Sequence, residues 1–425
     1  MKSILTILCL GVVMTSYAQE FEISTELRPR FEYRHGYKTL ITDAADAATF
    51  ISQRTRLNFA YKSEKLQMYL AVQNVRVWGD VTTLSASDTN GTAIHEAWAK
   101  LYLDPKLSLK FGRQEIVYDD HRIFGNVGWA QQARSHDAFI ATYTPNENNQ
   151  LDIGIAFNED GETLFDTNYT VDNYKAFQYA WYHTKWDAVD LSFLILNNGL
   201  AYDADDEQKV AYNQTLGTHM NYKKNKVQAD ASLYYQTGKI ANTSLNAFNV
   251  AGNVFYTINE TFKTGLGAEY LSGADSNSTE NKIKSFNPWF GTNHKFNGFM
   301  DYFYVGNHIN SVGLLDVNAT IAYQKDKFSA KLIPHVFSSA ATVVDASGKE
   351  MDNVLGTELD LVLGYTWTKD VSFQAGYSQM FATETMEVLK GGNSDNTNNW
   401  AWLMITVKPS LFKTAFQKNL IFIFH

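Results

Sequence analysis

Apolar and polar side chains alternate along this chain, most clearly from residue 21 to residue 34. Phe21, Ile23, Leu27, Phe31 and Tyr33 occupy odd positions, whereas the seven even positions carry six charged side chains. A period of two places successive side chains on opposite faces of a β-strand. The segment therefore predicts a strand with one apolar and one charged face, which fits a membrane barrel with a charged lumen or a soluble sandwich with a charged surface.

The connections between such segments favour the barrel. Eight short turns, among them Lys224-Asn225 and Lys325-Asp326, alternate with nine longer loops, the largest at residues 272–312. Short turns at one end and long loops at the other are typical of outer-membrane barrels with both termini in the periplasm. The sequence thus predicts an all-β protein, a transmembrane antiparallel β-barrel of about 18 strands with long extracellular loops and short periplasmic turns. The strands are predicted at residues 21–34, 50–62, 65–77, 93–103, 106–116, 135–144, 150–158, 173–185, 188–197, 210–223, 226–237, 246–257, 261–272, 313–325, 327–338, 354–367, 370–382 and 399–409.

The N-terminus predicts export. Lys2 precedes an apolar stretch at residues 4–14, and the small-x-small sequence Ser16-Tyr17-Ala18 offers a cleavage site, so residues 1–18 are expected to be a signal peptide. Residues 19–425 would then form a single barrel domain in the outer membrane of a Gram-negative bacterium. The only cysteine, Cys9, lies in the signal peptide, which excludes disulfides from the mature chain.

Two further features bound the class of protein. No apolar run approaches the roughly 20 residues of a membrane-spanning helix, and a formal net charge of −9 argues against a nucleic-acid partner. The sequence leaves open which segment closes the barrel. Residues 399–409 have a strand pattern, and the apolar residues 420–424 are an alternative.

The stretch from residue 107 to residue 139 predicts a loop inside the barrel. It leaves a strand at residue 116 and passes through Asp119, Asp120, His121 and Arg122, which cannot be buried in lipid or a dry core without neutralisation or pairing. Apolar side chains such as Trp129 lie between the charges, which is unusual for a free surface loop. We interpret the stretch as a loop that packs against protein, faces water and narrows a channel.

The nine arginines all lie between Arg28 and Arg134. Alternation places Arg28, Arg30, Arg54 and Arg56 on the polar face of the first two strands, and Arg34 with them. Guanidinium groups bind carboxylates in a bidentate manner, so an arginine-bearing lumen wall suits anionic, carboxylate-bearing solutes. An alternative interpretation is that these charges pair across strands and only stiffen the wall. The direction of Arg76 and Arg113 is left open by the pattern.

Other chemistry is weakly indicated. The aromatic and amide side chains of residues 286–307, with His294 and Lys295, are typical of a carbohydrate-facing surface, although a self-packed lid has the same composition. Asp119, Asp120 and His121 could ligate a metal, but neighbours in sequence rarely bind one ion together. No nucleophile-elbow or zinc motif occurs, so no enzymatic activity, metal or cofactor is expected.

The chain resembles the alginate export family of outer-membrane porins. The resemblance is carried by Arg54-Thr55-Arg56-Leu57, Gly112-Arg113-Gln114-Glu115, Tyr118-Asp119-Asp120-His121-Arg122, Gly128-Trp129, Arg134-Ser135-His136-Asp137-Ala138 and the block at residues 290–298. It implies an eighteen-strand barrel and passive diffusion of an acidic polysaccharide through an arginine-lined constriction, a role carried here onto Arg54, Arg56, Arg113, Arg122 and Arg134. The chain departs from that pattern in having no arginine after Arg134. A shorter or less charged oligosaccharide fits as well.

The predicted function is therefore an outer-membrane porin for anionic, uronate-type oligo- or polysaccharide. A general or neutral-sugar porin and a loop-plugged surface binding barrel are the alternatives. The expected partners are the lipid bilayer, lipopolysaccharide and the outer-membrane assembly machinery. The predicted substrate-binding residues are Arg28, Arg30, Arg54, Arg56, Arg113, Asp119, Asp120, His121, Arg122, Arg134, Asp137, His294 and Lys295.

Overall fold

In the computed structural model, which describes residues 19–204 and 207–415, one antiparallel sheet closes on itself. The predicted signal peptide and the apolar residues 420–424 lie outside the described residues. The strands are β1 (Glu20–His35), β2 (Ala48–Lys62), β3 (Leu66–Val77), β4 (Ala93–Tyr102), β5 (Leu107–Gln114), β6 (His136–Asn146), β7 (Asn149–Phe157), β8 (Ala176–Trp186), β9 (Val189–Ala204), β10 (Glu207–Lys224), β11 (Val227–Ile240), β12 (Thr243–Thr257), β13 (Phe262–Leu271), β14 (Lys282–Ile283), β15 (Leu314–Lys325), β16 (Phe328–Ser338), β17 (Val354–Thr368), β18 (Val371–Ala382), β19 (Asn398–Val407) and β20 (Ser410–Ala415).

The barrel closes at β1, which pairs with β2 along one edge and with the last two strands along the other. Residues 27–35 of β1 pair with β19, and residues 20–24 pair with β20. Pro409 has no N–H to donate and interrupts that last strand, whose gap is bridged by a hydrogen bond from Thr25 N to Pro409 O (3.2 Å). Counting β19 and β20 as one strand, and leaving out the two-residue β14, the described wall has 18 strands, as predicted. Closure leaves no unpaired edge in the described sheet, which a membrane requires.

The alternation in β1 has the predicted orientation. Leu27 and Phe31 are 40% and 38% exposed on the outer face, whereas Arg28, Arg30 and Glu32 are 7%, 5% and 0% exposed on the inner face. The same outward display of large apolar side chains continues around the wall. The outer face therefore suits lipid and the inner face carries the charges.

The periplasmic turns confirm the predicted connections. Asp187, Asn225 and Asp326 have positive φ (47°, 53° and 50°), the left-handed conformation that tight hairpin turns need and that Asn and Asp tolerate.

Two extracellular loops predicted to be long are not. β9 and β10 pair up to Ala204 and Glu207, and β11 and β12 up to Ile240 and Thr243. The predicted strand ends at residue 197, but Gly199 pairs with Tyr212 inside the sheet. The Tyr212 ring fills the space where a side chain at position 199 would begin, 2.7 Å from an added Cβ, so tertiary packing overrides the low strand propensity of Gly.

Within the described residues, no helix is long and apolar enough to cross a membrane. The described residues include one α-helix, α1 (Glu384–Lys390), which lies in an extracellular loop. Its N-cap Thr383 accepts from Met386 N, and Gly391 ends it with φ 65°, a conformation that favours glycine.

Two long loops fold into the barrel and form its core. The first lumen loop (residues 115–135) and the second lumen loop (residues 272–313) meet at a parallel bridge between Phe124 and Phe290. Their rings stack at 5.5 Å and pack against Phe177 on β8. Burying a side chain of this size contributes about 1.5–3 kcal/mol. The apolar core of this barrel therefore lies inside the lumen, where it fixes both loops against the wall.

Candidate solute pathway

Arg28 binds the first lumen loop through most of its guanidinium donors. Nη1 donates to Gly128 O (2.9 Å), Nη2 to Trp129 O (3.1 Å) and Ala130 O (3.2 Å), and Nε and Nη2 to Gln131 Oε1 (3.2 and 3.0 Å). We call residues 126–132 the crossing segment. Because these acceptors lie about a hundred residues away along the chain, one wall arginine holds the crossing segment against β1.

Arg30 and Arg34 share one buried carboxylate. Glu32 is fully buried and accepts from Arg30 Nε (2.9 Å), Arg34 Nε (2.9 Å) and Trp400 Nε1 (3.1 Å). Arg30 also donates to Trp129 O (2.8 Å), and its guanidinium lies 4.1 Å from the centre of the Trp129 ring. Arg34 keeps 33% of its side chain exposed. Two cations on one anion leave net positive charge at the extracellular end of β1.

Arg54 and Arg56 differ in how completely they are paired. Arg54 Nη2 lies 2.6 Å from Glu26 Oε1, and both side chains are buried. Arg56 Nε donates to Gln73 Oε1 (2.9 Å), while its Nη2 is buried and has no hydrogen-bond partner in the described residues. An unpaired guanidinium N–H is costly, so a solute oxygen or water at this position is favoured.

The arginines border two cavities, one on each side of the crossing segment. The outer arginine cleft, of about 700 Å³, faces the extracellular side and contains Arg30, Arg34 and Arg134 beside Tyr37 and Trp129. The inner arginine cleft, of about 420 Å³, faces the periplasm and is lined by Arg28, Arg54, Arg56 and Lys408 together with Glu26, Glu96 and Glu115. Gly128 borders the inner cleft and Trp129 the outer one, so the crossing segment lies between them.

Arg134 and His294 complete the outer arginine cleft. Arg134 Nη1 donates to Gly291 O (3.0 Å), and burial lowers its pKa to about 10, which leaves it protonated at neutral pH. His294 stacks on Trp129 at 4.8 Å, and its Nδ1 lies 2.6 Å from Asp301 Oδ1. Aromatic faces beside guanidinium groups can bind both the ring and the carboxylate of an acidic sugar.

An acidic cleft of about 410 Å³ lies on the opposite side of the lumen. It contains the sequence-predicted Asp119, Asp120 and Lys295. Burial raises the pKa of the Asp119 carboxyl, although hydrogen bonds from Ser192 and Trp181 oppose that shift. Burial and the neighbouring Lys295 lower the pKa of His121. The charged residues lining this cleft are Asp119, Asp120, Asp230, Glu269, Asp316, Lys295 and Lys331, with His219 and His335.

Arg122 belongs to the acidic side. Its side chain is 1% exposed, forms an ion pair with Glu269 on β13, donates to Asn297 Oδ1 (3.1 Å) and lies 3.8 Å from the Phe296 ring. It therefore ties the two lumen loops to the wall. The structure does not bring Arg122 together with Arg28, Arg54 and Arg56 around one arginine ring.

Arg113 and Asp137 lie outside the lumen. They are directly opposite each other on β5 and β6, on the face that displays Phe111 and Phe139, and they form a 2.7 Å ion pair on the outer surface. The structure thus separates these two predicted binding residues from the solute path. Arg76, whose direction the sequence left open, lies at the extracellular rim in an ion pair with Asp88.

Asp119, Asp120 and His121 do not converge as a three-ligand metal group within the described residues. One such group exists there, formed by His95, Glu96 and Glu115, whose ligand atoms lie within 4.8 Å of one another. His95 Nε2 is already 2.8 Å from Glu115 Oε1, so these two members of the group form a hydrogen bond with each other.

Gln131, which no sequence pattern singled out, fastens the crossing segment. Its Nε2 donates to Ser52 Oγ (3.0 Å), Ser52 O (3.2 Å) and Arg28 O (3.3 Å). No local pattern marks a glutamine in a loop as a tie to strands so distant in sequence. Glu32, by contrast, falls on the polar face of β1 by simple alternation.

A closed 18-strand barrel with an apolar outer face and a charged lumen defines an outer-membrane porin of a Gram-negative bacterium. The chain belongs to the alginate export family, whose model (Alginate export) matches residues 19–399. This family and fold are those of transport channels rather than of enzymes. No curated protein matches the chain.

Several solved porins share the fold at low sequence identity. Acinetobacter baumannii OccAB4 is 11% identical with a TM-score of 0.63, over 94% of this chain and 99% of that one. Pseudomonas aeruginosa OccK8 (OprE) is 12% identical with a TM-score of 0.60, over 92% and 98%. P. aeruginosa OpdK, solved with vanillate, is 12% identical with a TM-score of 0.59, over 91% and 98%.

Proposed function

We propose that this porin passes anionic, uronate-type oligosaccharides of the alginate kind by passive diffusion along the arginine side of its lumen. The observation that carries the proposal is the alignment of two arginine-lined clefts along β1 and β2, with the crossing segment between them. The carboxylate of a uronate can accept from guanidinium groups at each stage of that path.

The composition of the outer arginine cleft supports a sugar acid in particular. Tyr37, Trp129 and His294 contribute aromatic rings to its lining, and Arg34 is the most exposed guanidinium beside them. Ring edges and C–H groups suit a sugar, while the guanidinium binds the carboxylate. The similar porin OpdK was solved with vanillate, also a carboxylate, which agrees with this solute class.

A general or neutral-sugar porin is the second candidate function. The acidic cleft favours it, because that cleft has nearly the volume of the inner arginine cleft and the opposite charge. If solutes used both sides equally, the two fields would largely cancel and the channel would discriminate little between ions.

Conductance of the refolded protein in a planar bilayer tests the proposal. A KCl gradient gives the ion preference from the reversal potential, and oligouronate is then added to one side. We expect an anion-preferring current that oligouronate interrupts in a concentration-dependent manner. An open channel without anion preference and without a response to oligouronate would support the general porin, and the absence of any current would support a plugged binding barrel.

A further inference from the structure

The crossing segment lies between the two arginine clefts. Trp129 and Gln131 of this segment line the outer cleft, and Gly128 lines the inner cleft. Displacement of the segment would join the two clefts for a solute that follows the arginines. The contacts that hold the segment in place decide which solutes can displace it.

Three guanidinium groups hold the segment, together with the amides of Gln73 and Gln131, which donate to Gln132 O (3.0 Å) and Ser52 Oγ (3.0 Å). Arg28 donates to three backbone carbonyls and to Gln131 Oε1, Arg30 donates to Trp129 O, and Arg54 Nη1 lies 3.4 Å from Gln131 O. All these acceptors are neutral oxygens. A charged carboxylate is a stronger acceptor for the same donors, with shorter and roughly twice as strong hydrogen bonds.

Backbone strain lies at both ends of the segment. Val127 and Ala133 have positive φ (50° and 55°), a conformation that costs free energy for residues with a Cβ, above all for a β-branched one. Gly128 follows the first of them. Release of this strain would favour departure of the segment from its docked position.

We infer that the crossing segment is a gate that a solute carboxylate opens by replacing the loop carbonyls on Arg28. The inference rests on the proposed function, because it assumes that anionic solutes travel along the arginine side. A neutral sugar cannot compete for the guanidinium and meets a closed segment. Solutes that bind Arg28 through a carboxylate should therefore pass more readily. Only a ligand that binds the open state better shifts the equilibrium between docked and displaced segment towards the displaced state.

The first test compares uronate and hexose flux into liposomes that contain the intact porin. Arg28→Lys keeps the positive charge but cannot donate to several carbonyls at once. We expect the uronate-to-hexose flux ratio of Arg28→Lys to fall about tenfold, chiefly because hexose flux rises. A tenfold change corresponds to the loss of about 1.4 kcal/mol of hydrogen bonding between residue 28 and the crossing segment. The matched control Arg113→Lys changes the same residue type on the outer face and should leave the ratio unchanged.

The outcomes separate the gate from the proposed function. A wild-type flux ratio close to one would contradict the proposed function and the gate together. A wild-type preference for uronate that survives in Arg28→Lys would overturn the gate alone and leave Arg28 a simple attractive charge. Heat-modifiable migration in detergent verifies that each variant has folded.

A reversible cross-link tests the movement itself. The Ser52 and Gln131 side chains are in contact, so a Ser52→Cys/Gln131→Cys variant can be bridged by a short bis-thiosulfonate reagent. The sequence has no other cysteine than Cys9, so no competing thiol is expected in the mature chain. We expect cross-linking to reduce uronate flux about tenfold and a reductant to restore it. Undiminished flux through fully cross-linked protein would overturn the inference.

Discussion

The inner arginine cleft and the acidic cleft of this barrel differ in charge and hardly at all in volume. The inner arginine cleft has about 420 Å³ and the acidic cleft about 410 Å³. Four cations face three carboxylates in the first, and two lysines face five carboxylates in the second. The lumen therefore has a basic and an acidic side, which differ in charge rather than in space.

The division follows from the topology. In an antiparallel barrel whose consecutive strands are neighbours, position in the sequence becomes position around the wall. Arginines confined to the first third of the chain thus form a one-sided field and not a ring. The first lumen loop crosses this division, since Gln131 reaches β2 while Arg122 reaches β13.

The largest expected effect comes from removing the cation that fastens the lumen loops to the acidic side. Arg122→Met would leave the carboxylate of Glu269 buried without its ion pair, and removing one partner of a buried pair costs about 3–5 kcal/mol. We expect a lowered urea midpoint for unfolding of the lipid-inserted protein. Arg122→Met/Glu269→Gln should recover much of the loss, and a single variant as stable as wild type would contradict this role.

Charge removal on the two sides should have opposite effects on ion preference. Arg34→Gln/Arg56→Gln should lower the anion-to-cation permeability ratio about twofold to fivefold, and Asp119→Asn/Asp230→Asn should raise it by a similar factor. The reversal potential in a KCl gradient measures both. Shifts of the same sign in the two variants would show that the sides do not act as separate fields.

Acidification should raise the anion preference by a smaller amount. Burial raises the pKa of Asp119, so this carboxyl takes up its proton at a higher pH than an ordinary aspartate as the pH falls. The acidic side then loses negative charge while the arginines stay protonated. Anion preference should rise as the pH is lowered from 7 towards the ordinary aspartate range, and Asp119→Asn should show a weaker rise. An identical pH profile in that variant would assign the effect to other groups.

The smallest effect is expected from Arg113→Gln. The Arg113–Asp137 pair is 42% and 60% exposed on the outer face, away from both arginine clefts. Conductance and ion preference should both stay at wild-type values. A loss of anion preference would mean that this arginine acts inside the lumen after all.

The periodicity of the sequence was enough to predict the barrel wall, but it predicted less of the candidate site. A period of two oriented Arg28, Arg30 and Arg54 correctly, and the turn residues gave the strand count. Long-range contacts could not be predicted, because nothing local in the sequence shows that Arg28 donates hydrogen bonds to carbonyls of the crossing segment. Arg113 and Asp137 were grouped with the lumen arginines by their family motif, whereas their spacing from Phe111 and Phe139 places them on the outer face.

The most direct test of solute passage on the arginine side uses two matched cysteines. Asn58 lines the inner arginine cleft and Asn253 the acidic cleft, so Asn58→Cys and Asn253→Cys offer one thiol to each side. A bulky thiosulfonate reagent is added, and uronate flux into liposomes is measured before and after. We predict that the reagent blocks flux through Asn58→Cys and leaves Asn253→Cys nearly unchanged. Block through Asn253→Cys alone would place the solute on the acidic side and contradict the account.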